Sequence, residues 1–186
     1  VHISVETVAA YQVAGRLDML VFLPIFSIAA SLTTLVGMFY GAKEFEALRF
    51  TIRYGIISAL IITIFSSALV YIFADQVVRF FTEDESIVLI AVNFLQIFAF
   101  AYPFIAVGIT TGRVLQGLGK GLPVLVITIV RVLGVSAPLA LFFVFIMEKS
   151  VEWVWYSMML STVVAFAIGL TWLVSTIKKL PVKKSD

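Results

Sequence analysis

The sequence predicts an all-α, polytopic membrane helix bundle of about five spanning helices, and three observations carry that prediction. Of its 186 residues, 62% are hydrophobic and only 13% charged, with a mean hydropathy of +1.12, whereas a soluble domain is about half apolar and about a quarter charged. The long stretches are apolar all round instead of on one face, the pattern of helices solvated by lipid or by one another. The charges collect between those stretches, and none of the stretches shows the period-2 alternation of a barrel strand.

Crossing a hydrocarbon layer of about 30 Å takes roughly 20 helical residues. The first span is expected over 8–40, interrupted by Arg16, Asp18 and Pro24 and closed by Gly41. The second is a clean apolar run over 54–74, the third covers 86–112, the fourth 122–147 with Arg131 inside it, and the fifth 153–177. The segment 43–53 is amphipathic and is expected either to lie on the inner membrane surface or to begin the second span as a solvated helix. No internal repeat, linker or low-complexity stretch divides the chain, so 1–186 reads as one unit. The opening VHISVETVAA lacks the basic and apolar regions of a signal peptide and reads as a cut inside a longer chain.

Alternate connections differ in charge. Lys43, Arg49, Arg53, Arg113, Lys120 and the tail lysines Lys178, Lys179, Lys183 and Lys184 fall on one side, while Asp75, Glu83, Asp84, Glu85, Glu148 and Glu152 fall on the other against Arg79 and Lys149. Basic loops stay in the cytoplasm, so the expected C-terminus is inside and the N-terminus outside, in a cell (plasma) membrane. Trp153 and Trp155 at the outer start of the fifth span suit an interfacial aromatic belt.

Several chemistries lack their residues. With no cysteine and the single histidine His2, no metal site, thiolate nucleophile or serine–histidine–acid hydrolase is expected. The glycines of 117–121 lack the spacing of a phosphate-binding loop and are expected at a turn, as are Gly37 and Gly41. The chain reads as neither an enzyme nor a nucleic-acid binder, and no cofactor is expected.

The residues that break the apolar pattern are the site candidates. An ionised group deep in a bilayer is costly unless it faces protein or water, which singles out Arg131. Counted from Leu122 at the inner face it sits roughly 13 Å up, and Gln96, counted from Glu85 on the oppositely running third span, lies roughly 17 Å down, with Asn93 about one turn higher. Arg131, Gln96 and Asn93 are therefore expected to face a polar cavity and to touch substrate or one another; the alternative is that Arg131 only ties helices together through free carbonyls. Gln12, Arg16 and Asp18 form a candidate outer gate or polar stripe, although Arg16 and Asp18, two apart on a helix, cannot bridge each other. Asp18 lies roughly 33 Å above Tyr40, too high to partner Arg131. Pro24, Pro103 and Pro138 each remove a helical hydrogen bond and are hinge candidates. Ser27, Ser31, Thr33 and Thr34 read as packing residues.

The stretch LVGMFYGAKEFEALR, with Gly37 and Gly41-Ala42, resembles the V-G-Q-x-x-G-A segment of multidrug and toxic compound extrusion (MATE) transporters. LQGLGKGLP resembles that family's glycine loop between its tenth and eleventh helices, AAYQVAGRLDMLVFLPIFSIAASLTTLVG resembles its eighth helix, and Pro103, Arg131 and Pro138 fall where many members carry those residues. The resemblance implies helices eight to twelve of twelve, one lobe of a two-lobe antiporter that expels organic, drug-like and often cationic solutes by alternating access coupled to Na+ or H+. Met38 stands where the family usually has glutamine. The third span has no carboxylate between Glu85 and Arg113, where some members carry a cation-site acid, so the resemblance puts ion coupling in an upstream lobe. The rival readings are a lipid-linked precursor flippase, to whose phosphate headgroup a basic cavity residue is suited, and a membrane scaffold subunit that does not transport.

Overall fold

The computed structural model describes residues 5–147 and 152–181. His2, Glu148, Lys149, Lys183 and Lys184 lie outside the described residues. Among these described residues seven α-helices follow in order: α1 (Val5–Gly41), α2 (Phe45–Arg79), α3 (Glu85–Ala99), α4 (Tyr102–Gly117), α5 (Gly121–Ile129), α6 (Ala137–Leu141) and α7 (Glu152–Lys178). Two π-helical stretches, Val130–Ser136 and Phe142–Ile146, join α5 and α6 into one rod of 26 residues, Gly121–Ile146. Among the described residues four helices are long and apolar enough to cross a membrane, and the bent pair α3–α4, taken as one span, brings the number to five. The chain is an integral membrane protein.

Helix α1 packs on α2, α3 and α4, α7 covers α3 and α4, and the α5–α6 rod lies against α7 and the end of α4. In the rod only Pro123 is buried among the described residues. Its remaining apolar surface therefore faces lipid or another part of a larger protein, since water would not tolerate it. Several hydroxyls within the spans are satisfied locally, while the buried Thr111 Oγ1 of α4 has no partner among the described residues. Ser27 Oγ donates to the Leu23 carbonyl at 3.1 Å, Ser31 Oγ to that of Ser27 at 3.0 Å, and Thr33 Oγ1 to that of Ala29 at 3.1 Å.

Where the sequence predicts a single third span over 86–112 with Pro103 as a hinge candidate, the structure has two helices meeting at 57°. The cause is local. Pro103 has no N–H, so the carbonyl four residues back, Ala99, loses its helical donor. Ser67 Oγ of α2 donates to that carbonyl, holding the bend against its neighbour. Pro138 disrupts its own helix differently. Its ring would crowd the Gly134 carbonyl, and the rod widens into π turns just before it, with the Ala137 N–H reaching back to the Val132 carbonyl. Pro24 sits within an uninterrupted α1.

The second span also differs from expectation: α2 is continuous from Phe45 to Arg79. The segment 43–53 is thus mostly the start of a spanning helix, and Asp75 and Arg79 belong to the helix instead of the loop. Arg79 binds Asp75 (Nε to Oδ2, 2.9 Å) and Glu85 (Nη1 to Oε1, 2.6 Å), pinning the exposed α2–α3 corner. Asp84 caps α3 by accepting from the Ser86 and Ile87 N–H groups. Bonding to Ser86, with the Ile87 N–H, holds its carboxyl below the usual carboxylate range.

The turns at the basic end, α1–α2 and α4–α5, close alike. Glu44 N bonds to the Phe39 carbonyl at 2.9 Å and Lys120 N to that of Leu115 at 2.8 Å, each reaching back five residues as in a Schellman motif. The left-handed residue is Gly119 (φ 74°) in one and Lys43 (φ 60°), not Gly41, in the other. Gly37 and Gly117, expected at turns, instead lie where α1 crosses α4. A Cβ built on Gly117 would come within 2.7 Å of the Thr33 carbonyl oxygen, and one on Gly37 within 3.5 Å of the Gly117 oxygen. Thr33 and Gly37 are four apart, the spacing by which small residues let membrane helices approach closely. Arg49 donates to the Leu180 carbonyl at 3.1 Å, fastening the C-terminal end to α2.

Candidate functional site

Among the described residues, two openings hold the polar cavity candidates. The first, with a volume of about 360 Å³, is walled by Phe26 of α1, Phe104, Arg113 and Gln116 of α4, Thr128 of α5, Arg131 of the first π turn, and Thr162 and Phe166 of α7. The second, about 330 Å³, lies between α2, α3 and α7 and is lined by Tyr71, Asn93, Gln96 and Tyr156 with Ile97, Phe100 and Met159.

Helix α4 positions much of the first cavity. The α1–α4 crossing fixes its lower end, where Thr33 Oγ1 also donates to the Arg113 carbonyl at 3.3 Å. The Arg113 and Gln116 side chains, three apart, then fall on one face, and Arg113 Nη1 donates to Gln116 Oε1 at 3.4 Å. Arg131 belongs to the π-helical stretch ahead of Pro138, and such widened turns recur at functional sites. Thr128, one turn earlier, shares its face. Phe104 and Phe166 meet edge to face at 5.3 Å and give the cavity an aromatic wall. Among the described lining residues there are two guanidiniums and no carboxylate, so the polar part of the wall is positive.

The candidates separate accordingly. Arg131 lines the first cavity, and Asn93 and Gln96 line the second, so the three do not share one opening. Depth along the membrane put them at a common level, but direction around the axis is set by which helices flank each face. Gln12 and Arg16 are exposed on α1. Asp18 leaves that stripe: half-buried, it accepts a hydrogen bond from the Tyr102 hydroxyl at the first residue of α4. Tyr102 is fully buried, with its ring edge-on to Phe22 at 5.3 Å. The two partners thus tie α1 to the α3–α4 bend, where Pro103 sits in the first turn of α4. Sequence reasoning missed Phe26, Phe104, Gln116, Thr128, Thr162 and Phe166 as lining residues. Thr128, three before Arg131, could have been found by helical spacing; Arg113 was visible only as a loop charge.

The architecture has known counterparts. The family model MatE matches residues 1–142. A probable multidrug resistance protein NorM of Thermotoga maritima is 26% identical over 170 residues, covering 91% of this chain and 37% of that protein. An inward-facing multidrug resistance MATE family transporter of the MOP superfamily matches with a TM-score of 0.84 and 29% identity, over 96% of this chain and 41% of that one. A MOP superfamily transporter from Pyrococcus furiosus, described as having a binding pocket of reverse polarity that suggests a different function, matches with a TM-score of 0.85 and 30% identity, over 96% of this chain and 40% of that one. The chain spans well under half the length of these proteins, 37% in the Thermotoga case. With most of its length inside the family match and its helices superposing on part of known members, the chain belongs to the MATE family, MatE, whose members are membrane transporters and not enzymes.

Proposed function

We propose that this chain is the C-terminal lobe of a secondary active antiporter that exports organic, drug-like solutes across the cell membrane by alternating access, with inward flow of Na+ or H+ as the driving force. The observation that carries the reading is a drug-sized cavity, lined by Arg131 on a π turn, within a lobe superposable on multidrug resistance transporters. The upstream lobe would supply the facing wall and the coupling-ion site, since the third span carries no carboxylate between Glu85 and Arg113. Placing the basic end bearing Lys43, Arg49, Arg113, Lys120 and Lys178 in the cytoplasm puts the N-terminus of the chain outside. Asn93 and Gln96, in the second opening, would contact cargo nearer the outer side. Pro103 and Pro138, at the bend and beside the π turns, would act as hinges, and Pro24 as a weaker one.

A lipid-linked precursor flippase remains the second reading, favoured by the paired arginines and by likeness to the Pyrococcus transporter described as having reversed pocket polarity. Cationic cargo would have to find its counter-charge elsewhere in the protein.

Dye retention in efflux-deficient cells that express the full-length protein tests the main reading. Efflux should lower retention, and Arg131→Ala should cut the initial efflux rate by roughly tenfold or more, the equivalent of about 1.4 kcal/mol for the loss of a principal cargo contact. No efflux of any dye at normal membrane abundance would reject export.

A further inference from the structure

The first cavity has a polarity that the export reading does not explain. Thr128 Oγ1 donates to the Val124 carbonyl at 2.9 Å and Thr162 Oγ1 to that of Met158 at 3.0 Å, so both threonine protons are spent within their own helices. Gln116 turns its carbonyl oxygen to Arg113, which leaves its amide nitrogen as the outward group. The donors left for a ligand are therefore Arg113, Arg131 and the Gln116 amide. Two positive charges with no carboxylate among the described lining residues disfavour a cation and favour an anion. Guanidinium forks match carboxylate, sulfonate and phosphate oxygens in particular.

We infer that this cavity is a subsite for the anionic group of an amphipathic organic anion, with Arg113 and Arg131 gripping the charged end and Phe104, Phe166 and Phe26 receiving the aromatic or apolar body. The inference rests on the proposed export function for its physiological meaning, but binding alone can test it. Arg113 and Gln116 sit toward the basic end of the lobe and Arg131 deeper, so the anion enters with its charge between the two arginines. The shared chemistry is an oxyanion on an apolar body; a soluble carboxylate and a lipid phosphate both satisfy it.

The test is equilibrium binding to the full-length protein in phosphatidylcholine nanodiscs, using carboxyfluorescein, ethidium and a short-chain fluorescent phosphatidic acid as probes. At least one anionic probe should bind, and Arg113→Gln with Arg131→Gln should weaken it by at least about tenfold, while the paired lysine variants, which keep the charges and lose only the forks, weaken it less. Ethidium binding should be unchanged or tightened. Carboxyfluorescein alone responding identifies a soluble organic anion; phosphatidic acid alone identifies a lipid headgroup. Failure of both anions to bind, or equal weakening of ethidium and the anions, overturns the inference. Intact, arginine-dependent anion binding with no cellular efflux would leave the subsite standing and sink export alone.

Discussion

Gly117→Val is expected to uncouple α1 from α4 and to destabilise the protein. The added Cβ would stand 2.7 Å from the Thr33 carbonyl oxygen and 3.0 Å from Val36 Cγ1. A side chain could rotate away, but the Thr33 oxygen belongs to a helix backbone whose carbonyl is already engaged in the helical ladder, so the whole crossing must widen. Overpacking of this kind costs about 1–3 kcal/mol for Ala and more for the branched Val. The same movement would also loosen the Thr33–Arg113 bond. Gly15 provides the control, since nothing lies within 4 Å of its built Cβ. Thermal unfolding of the purified full-length protein in detergent should show a lower Tm for Gly117→Ala, a larger loss for Gly117→Val, and no loss for Gly15→Ala. An unchanged Tm for Gly117→Val would mean that the crossing is not as tight as described.

Tyr102→Ala should rank close behind, because it strikes the bend on which the cavity-bearing α4 depends. The ring is fully buried against Phe22 and its hydroxyl satisfies Asp18. Losing a buried aromatic ring costs about 3–5 kcal/mol. Tyr102→Phe isolates the polar part: it keeps the ring and strands the carboxylate, for about 1–3 kcal/mol. In an Asp18→Leu background the same Tyr102→Phe change should cost much less, since no acceptor remains to be stranded. Tm values across this four-member cycle are the readout. Equal losses from Tyr102→Phe in both backgrounds would show that the pair does not act together.

The spans were legible because bilayer thickness leaves one reading of long, all-round apolar stretches, and the basic and acidic connections sort by side. Pro103 pointed to a break in the third span, yet its angle could not be read, because the bend is sustained by Ser67 from another helix. Gly117 misled for a related reason. Glycine serves turns and close crossings equally, and only the position of Thr33 on α1 separates the two. Arg131 was found by its charge in an apolar run, but its surroundings were not, since counting residues gives depth and not direction. The π turns ahead of Pro138 shift that direction further. Counting placed Asp18 far from the basic end of its span, but its donor Tyr102 was hidden within a stretch that reads as apolar. The amide pair Asn93 and Gln96 kept its i, i+3 relation and fell in one opening, as helical spacing dictates.

The central claim is that the cavity bearing Arg113 and Arg131 belongs to a water-filled transport path. Thiol labelling tests it most directly, and the absence of cysteine from this chain makes a single-cysteine version practical once any cysteines elsewhere in the full-length protein are replaced. Thr128→Cys should react with a membrane-impermeant maleimide, with access that depends on the side of addition and slows when substrate is bound. Ile61→Cys, exposed on α2 away from both described openings, should stay unreactive in the bilayer. Equal inertness of the two cysteines from both sides would contradict the account, because the cavity would then be sealed by lipid instead of opening to water.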